Sequence, residues 1–198
     1  KSYTMKIQFK KAIGINVPSG SINLTANGCS ATDKTNLAKL IWADGNLKST
    51  GSANYVWGTY SEYGYYYTWY STYTGNTSTN NTDPCTKLNV STYGTSWRTP
   101  NSNELTMLSR CTNKTLTNKG MWFMNNTIGL FLPATGFRNH TQGSYTSVET
   151  DGTSGRYWSS SSNGSYAYAL EFGNNSASVT SNNNRKANGL TVRCVKNK

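Results

Sequence analysis

Apolar and polar positions alternate with period two over several short stretches of this chain, whereas helical spacing is rare. Met5, Ile7 and Phe9 alternate with Lys6 and Gln8, and Ile22 and Leu24 repeat the pattern beyond a Pro18-Ser19-Gly20 turn. This predicts two paired strands in residues 1–26. Asp44-Gly45, set between apolar residues, predicts a tight hairpin turn. Gly129 to Leu132 read as a short apolar strand ended by Pro133 and Gly136, and Arg156 to Ser160 as another. Tyr168, Leu170 and Phe172 alternate with Ala169 and Glu171, which predicts a strand with the first three facing inward and the other two outward. Val179 falls in the following strand, and Leu190, Val192 and Cys194 alternate in a terminal one. One helix stands out, after Trp97-Arg98-Thr99-Pro100: Thr99 or Asn101 can cap it, Pro100 suits its first turn, and Leu105 and Leu108 share a face.

Residues 55–73 hold eight tyrosines and two tryptophans. Such a run can be a stacking platform for a sugar ring or a base. The simpler reading puts Tyr63, Tyr66, Tyr67 and Trp69 on the buried face of a short helix or turn. Residues 74–84 form a polar loop.

Composition narrows the fold class. Asn, Ser and Thr make up 77 of the 198 residues, which favours a loop-rich β or α+β domain. Helix formers are too scarce for a bundle or coiled coil, and no apolar stretch is long enough for a membrane span. Aromatics at 13% argue against wholesale disorder and must supply much of the core. The net charge is +11, but only 14% of residues are charged and the basic ones are scattered. A nucleic-acid partner is therefore not expected; the charge serves solubility and a mild pull towards anionic surfaces.

Cys29, Cys85, Cys111 and Cys194 are widely spaced, with no CxxC pair, and His140 is the single histidine. A zinc site is not readily built from this set, and the scarcity of acids argues against calcium. No metal and no cofactor are expected. Four separated cysteines read as two disulfides in any of three connectivities, with buried free thiols as the alternative. Disulfides imply an oxidising compartment, so the chain reads as exported, at the cell surface or extracellular. It opens at Lys1 on a strand-like segment, which reads as a mature or trimmed chain.

Seven short motifs occur in a telling order: Trp42 to Leu47 (WADGNL), Asp83-Pro84-Cys85, Trp97 to Pro100 (WRTP) with its helix, Phe131 to Arg138 (FLPATGFR), Gly155 to Ser161 (GRYWSSS), Ala167 to Phe172 (AYALEF) and Gly189 to Val195 (GLTVRCV). Together they resemble the Fibrobacter succinogenes major paralogous domain family, common in exported proteins of gut Bacteroidetes, over roughly residues 38–196. The resemblance implies an α+β C-type lectin-like fold: two short helices, small mixed or antiparallel sheets and long loops, stabilised by disulfides. It implies a Cys85–Cys194 bridge, which leaves Cys29 with Cys111. The domain expected is 38–198, with 1–37 as an N-terminal strand region packed on it or preceding it.

The last forty residues also resemble the variable segment of ligand-binding proteins diversified by retroelements: a YWSS start, runs of Asn, Ser, Tyr, Gly and Ala, and a VRCV end. That implies a variable ligand-binding segment at about 157–190. Its contact residues would be Asn163, Ser165, Ala169, Glu171, Asn174, Ser176, Ser178, Asn182 and Asn184, with Tyr166 as an aromatic anchor. A polar loop of an undiversified domain is the plainer alternative. The function expected is a surface adhesion or receptor-type module, such as a pilus tip, binding a protein or glycan on another cell or host surface and attached to a larger surface assembly. A structural surface or pilus subunit is the alternative. A formylglycine-generating-type enzyme, the activity known on a related fold, lacks a second cysteine near Cys194, and Glu149 and Asp151 have no constellation around them. No catalytic residue is assigned.

Overall fold

The computed structural model describes residues 28–49, 55–72, 79–126, 128–140, 148–149 and 152–198. The strand pair expected in residues 1–26 lies outside them. The fold is α+β with few helices, small antiparallel sheets and two disulfides.

The first helix, α1 (Ala31–Ala38), starts at a capping box in which Ser30 and Asp33 satisfy each other's backbone N–H groups. It spans the expected boundary at 37/38. Leu37 buries against the rest of the molecule, and Cys29 bonds to Cys111. Strand β1 (Leu40–Trp42) pairs antiparallel with the last strand, β12 (Val195–Asn197), so the two ends of the described chain meet.

The Asp44-Gly45 turn is not a hairpin. β2 (Leu47–Ser49) pairs with β3 (Tyr55–Trp57), not with β1. Ala43 and Leu47 both donate to the C-terminal segment, at the Cys194 and Val192 carbonyls. The chain therefore kinks along its neighbour without reversing. Gly45 is required there by close approach: a Cβ would lie 1.8 Å from the Gly58 carbonyl oxygen.

A 3-10 turn at Pro84–Lys87 and the one-turn helix α2 (Val90–Tyr93) lead to α3 (Ser102–Arg110). Asn101 caps α3 in a reciprocal box with Glu104, and Leu105 and Leu108 are buried, as the spacing predicted. The DPC and WRTP motifs hold each other. The Asp83 carboxylate accepts from the backbone of Cys85 and from both the backbone and hydroxyl of Thr99. Arg98 donates both terminal nitrogens to Glu104, at 2.7 and 2.5 Å.

Strands β4 (Asn113–Thr117), β5 (Gly120–Met124) and β6 (Gly129–Pro133) form a meander, and β7 (Phe137–Arg138) pairs with β8 (Val148–Glu149). The remaining sheet, in order β11-β10-β9, consists of β9 (Gly155–Asn163), β10 (Tyr166–Gly173) and β11 (Ser176–Thr180).

This last sheet lies between two cores. One face carries Tyr157, Leu170 and Phe172 into a core with α1, α3, β5 and β6, which also holds the Cys29–Cys111 bridge. Trp158, Ala167 and Ala169 point into a second core with Tyr67, Trp97 and Leu190, which holds the Cys85–Cys194 bridge. The Cys85–Cys194 pairing is the one the family resemblance implied, and Cys29–Cys111 is the one it left by elimination.

The expected alternation of faces holds over Ala169 to Phe172, but the outer face is not all exposed. Ala169 is fully buried, not exposed, because the second core covers that face. Tyr168 is half-buried and sits at a register shift between Ala167 and Ala169, whose partners are Ser162 and Trp158. Three residues of β9 there face a single residue of β10, a bulge that leaves Ala167 and Ala169 on the same face.

The terminal segment also departs from alternation: Leu190 to Val195 are all buried. Its backbone bonds in turn to Tyr67, Trp158, Leu47, Ala43 and Arg98, making it a seam between elements with no solvent face. Residues 55–72 form no helix. Tyr67 is fully buried, but Tyr63 is 42% exposed, contrary to the simpler reading of the aromatic run.

Burial raises the hydroxyls of Tyr157, Tyr67 and Tyr66, the last to about 12. The unfolded chain releases these protons from about pH 10 while the folded chain keeps them, so this stability is whole below pH 10 and is lost as pH climbs towards the folded values. Arg193 opposes the trend: burial lowers it to about 10, so the folded form deprotonates first and regains stability above that pH. Three tyrosines outweigh one arginine, and the urea midpoint is expected to fall between about pH 10 and 12. A midpoint that stays flat would show that these hydroxyls titrate as in the unfolded chain.

Candidate functional site

At the Gly173 end of the β11-β10-β9 sheet, the second core no longer covers the outer face. Here Arg156, Glu171 and Ser178 stand opposite one another in register. They form the floor of an open cleft of about 590 Å³, whose walls include Phe137, Asn174 and Ser176. The Arg156 guanidinium lies 3.8 Å from the Phe137 ring centroid and its Nε lies 3.7 Å from the Glu171 carboxylate. Asn184 braces both, donating to Glu171 at 2.6 Å and accepting from Arg156 at 3.5 Å. The cleft floor is thus a paired acid and base on an aromatic ring, with hydroxyls and an amide at the rim. Such a set can offer hydrogen bonds in both directions and recognises ligands without any covalent step.

β11 is an edge strand whose side chains divide cleanly. Ala177 and Val179 pack against the first core, and the Ala177 carbonyl accepts from Ser109 of α3. Ser176 and Ser178 are exposed. Side chains at these two positions can change without touching the core, which is what a replaceable contact surface requires.

Four of the ten expected contact residues, Glu171, Asn174, Ser176 and Ser178, meet in this cleft. Three others lie at the far end of β10: Asn163 and Ser165 are exposed at the β9-β10 turn, and Tyr166 is half-buried with the Arg185 guanidinium 5.7 Å from its ring. β10 has eight residues, so the two ends stand about 23 Å apart. Asn182 is exposed on the turn after β11.

Two expected contacts are corrected. Ala169 is buried in the second core, and Asn184 is fully buried as the brace just described, also accepting from the Ala167 backbone. A surface contact at either position is ruled out by burial.

The sequence reading missed Arg156 and Phe137 as parts of the site. Both lie within motifs, but only strand pairing sets Arg156 across from Glu171, and only the β7 path brings Phe137 beneath it. It also missed a half-buried cap beside Tyr166. There Lys186 sits 4.3 Å from the Trp69 ring, and Trp69 donates to the Ser159 carbonyl.

A family model described as a domain of unknown function (DUF8237) matches residues 110–195. The match takes in β4 to β11 and the whole strand floor of the cleft, but less than half of the chain. No curated protein matches the chain, and no solved structure does.

All four cysteines are in disulfides, which points to an oxidising, exported environment. Among the described residues no helix is long and apolar enough to cross a membrane.

Proposed function

We propose that this chain is a ligand-binding module of the cell surface, built on a C-type lectin-like scaffold of the Fibrobacter succinogenes major paralogous domain type. It would act in adhesion or reception, at a pilus tip or similar assembly. The observation that carries this reading is the cleft at the Gly173 end of the sheet, where Glu171, Asn174, Ser176 and Ser178 converge on a doubly covered, disulfide-braced sheet. The scaffold reading is supported by the antiparallel pairing of first and last described strands and by the Cys85–Cys194 bridge. Recognition is noncovalent, and weak single contacts are multiplied when many copies share one surface.

The reading includes diversification by a retroelement, narrowed to the positions that are free to vary. Asn163, Ser165, Ser176, Ser178 and Asn182 are exposed, Asn174 is exposed on a left-handed backbone (φ +49°) that favours Asn or Gly, and Glu171 is half-buried within the cleft. Ala169 and Asn184 are not free to vary.

The test has two arms. Beads carrying many copies of the protein are expected to adhere to cultured epithelial cells, and Ser176→Arg/Ser178→Arg is expected to abolish adhesion with an unchanged melting temperature. Adhesion absent, or indifferent to the double substitution, would overturn the binding assignment. In the gene, asparagine codons that are nearly all AAC in 157–190, with a near-copy beside a reverse transcriptase, support diversification; mixed codons without a copy sink it.

A further inference from the structure

Three of the four large apolar side chains most exposed among the described residues sit on one loop: Tyr60 at 58%, and Tyr63 and Tyr65 at 42% each. The loop, residues 58–65, lies outside the candidate face. Tyr63 and Tyr65 line a second open cleft of about 510 Å³ with Ser61, Gly64, Glu62, Lys48 and Lys119. Exposed rings grouped in this way mark interaction surfaces.

The loop is tied by hydrogen bonds to Asn46 and Leu47. Gly58 donates to the Asn46 carbonyl and Tyr65 to the Leu47 carbonyl, both at 3.0 Å, and the Asn46 amide donates to the Tyr63 carbonyl. Glu62 latches it from within, accepting from the Thr59 backbone and from Lys48 at 2.8 Å. Those two partners, the Lys48 ammonium first, hold the Glu62 carboxyl at about 2, so the latch stays charged at any ordinary pH. Gly64 has φ +74°, and a Cβ there would meet Asn46 and the Leu47 carbonyl at 2.7 and 2.8 Å, so the backbone lies flat on β2. Rings presented on a fixed backbone lose little entropy on binding.

We infer that this cleft is a second binding site, for a pyranose ring bearing one carboxylate or sulfate group. The rings supply the first half of that specificity: the electron-rich face of tyrosine receives the polarised C–H groups on one side of a sugar ring. The lysines supply the second half. Lys48 is neutralised by Glu62, whereas Lys119 is exposed and has no ion-pair partner among the described residues. The charged lining therefore carries one cation in excess, which suits one anionic group per sugar and disfavours a cationic ligand. The net charge of +11 draws acidic polysaccharides from a distance.

The site is independent of the proposed binding face, and its test uses different residues. Binding of a tetragalacturonate, a sulfated galactotetraose that carries no carboxylate and a neutral galactotetraose to the full chain is followed by saturation-transfer NMR and calorimetry. At least one acidic probe is expected to bind more tightly than the neutral one, and the pattern between them tells carboxylate from sulfate. Tyr63→Ala/Tyr65→Ala is expected to weaken the acidic probe about tenfold, the value of two modest ring contacts. Lys119→Glu should remove the preference for acid while leaving melting unchanged. Ser176→Arg/Ser178→Arg should bind the probes like the parent. No binding of any probe at millimolar concentration overturns the inference. So does acidic binding that survives loss of both rings, which would be mere attraction to a basic protein.

Discussion

Cys85→Ala/Cys194→Ala protein is expected to lose about 4–5 kcal/mol of stability, a large share of what holds a domain of this size folded. The bridge closes a loop with a sequence separation of 109, and tethering a loop of that length restricts the unfolded chain by about that amount. The loss lowers the melting temperature by about 10–18 °C. Alanine keeps the substituted sites apolar, which matters because Cys85 and Cys194 are both buried in the second core. Removing Cys29 and Cys111, separated by 82 residues, should cost nearly as much, since the entropy depends only on the logarithm of loop length. Urea melts of the two double variants measure this directly. A loss below about 1 kcal/mol for either would mean that the unfolded chain is already compact across that loop.

Arg193→Met is expected to cost about 3–5 kcal/mol, and two opposed effects decide the figure. Arg193 is 2% exposed, and it donates to Asn46 Oδ1, the Ala43 carbonyl and the Phe131 carbonyl at 2.9, 3.0 and 3.1 Å. Its charge faces no carboxylate at bonding distance among the described residues, and burial lowers it to about 10. Removing the cation relieves a desolvation penalty of several kcal/mol. Against this, three buried acceptors lose their donor at about 1–3 kcal/mol each, and two are backbone carbonyls. Asn46 then also loosens, and with it the Tyr157 hydroxyl and the Tyr63 carbonyl, to which its amide donates. The acceptors outweigh the relief. Arg193→Lys should fall between parent and Met, because an ammonium on a thinner stem cannot reach three divergent acceptors. Thermal melts of both variants test the ranking, and a methionine variant as stable as the parent would show that the apolar filling compensates for the lost bonds.

What the sequence made legible follows from which forces are local. The α3 helix was readable because Asn101, Glu104, Leu105 and Leu108 act within two turns of one another. The strands β6, β9 and β10 were readable from short runs of apolar and aromatic residues. The Cys85–Cys194 bridge came from family resemblance and the other by elimination, since cysteine spacing alone left three pairings. Other features were set by packing between distant segments. Ala169 looks like an outward residue until the second core is placed over it, and its small side chain is what lets that core approach. Asn184 reads as one more polar contact residue, yet its amide is the brace between Glu171 and Arg156. Arg193 in an apolar run signals a charge that must be satisfied, but nothing local names Ala43, Asn46 or Phe131 as its partners. Of the expected site, the Asn174 to Ser178 part holds together, while Asn163, Ser165 and Tyr166 lie a strand's length away.

The bridges also determine how the molecule carries mechanical load. β1 and β12 run antiparallel with Leu40 opposite Asn197, so tension applied at their outer ends would peel the pair open one bond at a time. The covalent path bypasses that weak geometry. Pulling from the N-terminal side is taken up at Cys29 and passes directly to Cys111, leaving α1 and β1 slack. Pulling from the C-terminal side can free only Val195 to Lys198 before Cys194 transfers the force to Cys85. Both tethers end inside the cores that flank the β11-β10-β9 sheet, so the sheet and the cleft on it keep their shape while the chain is under tension.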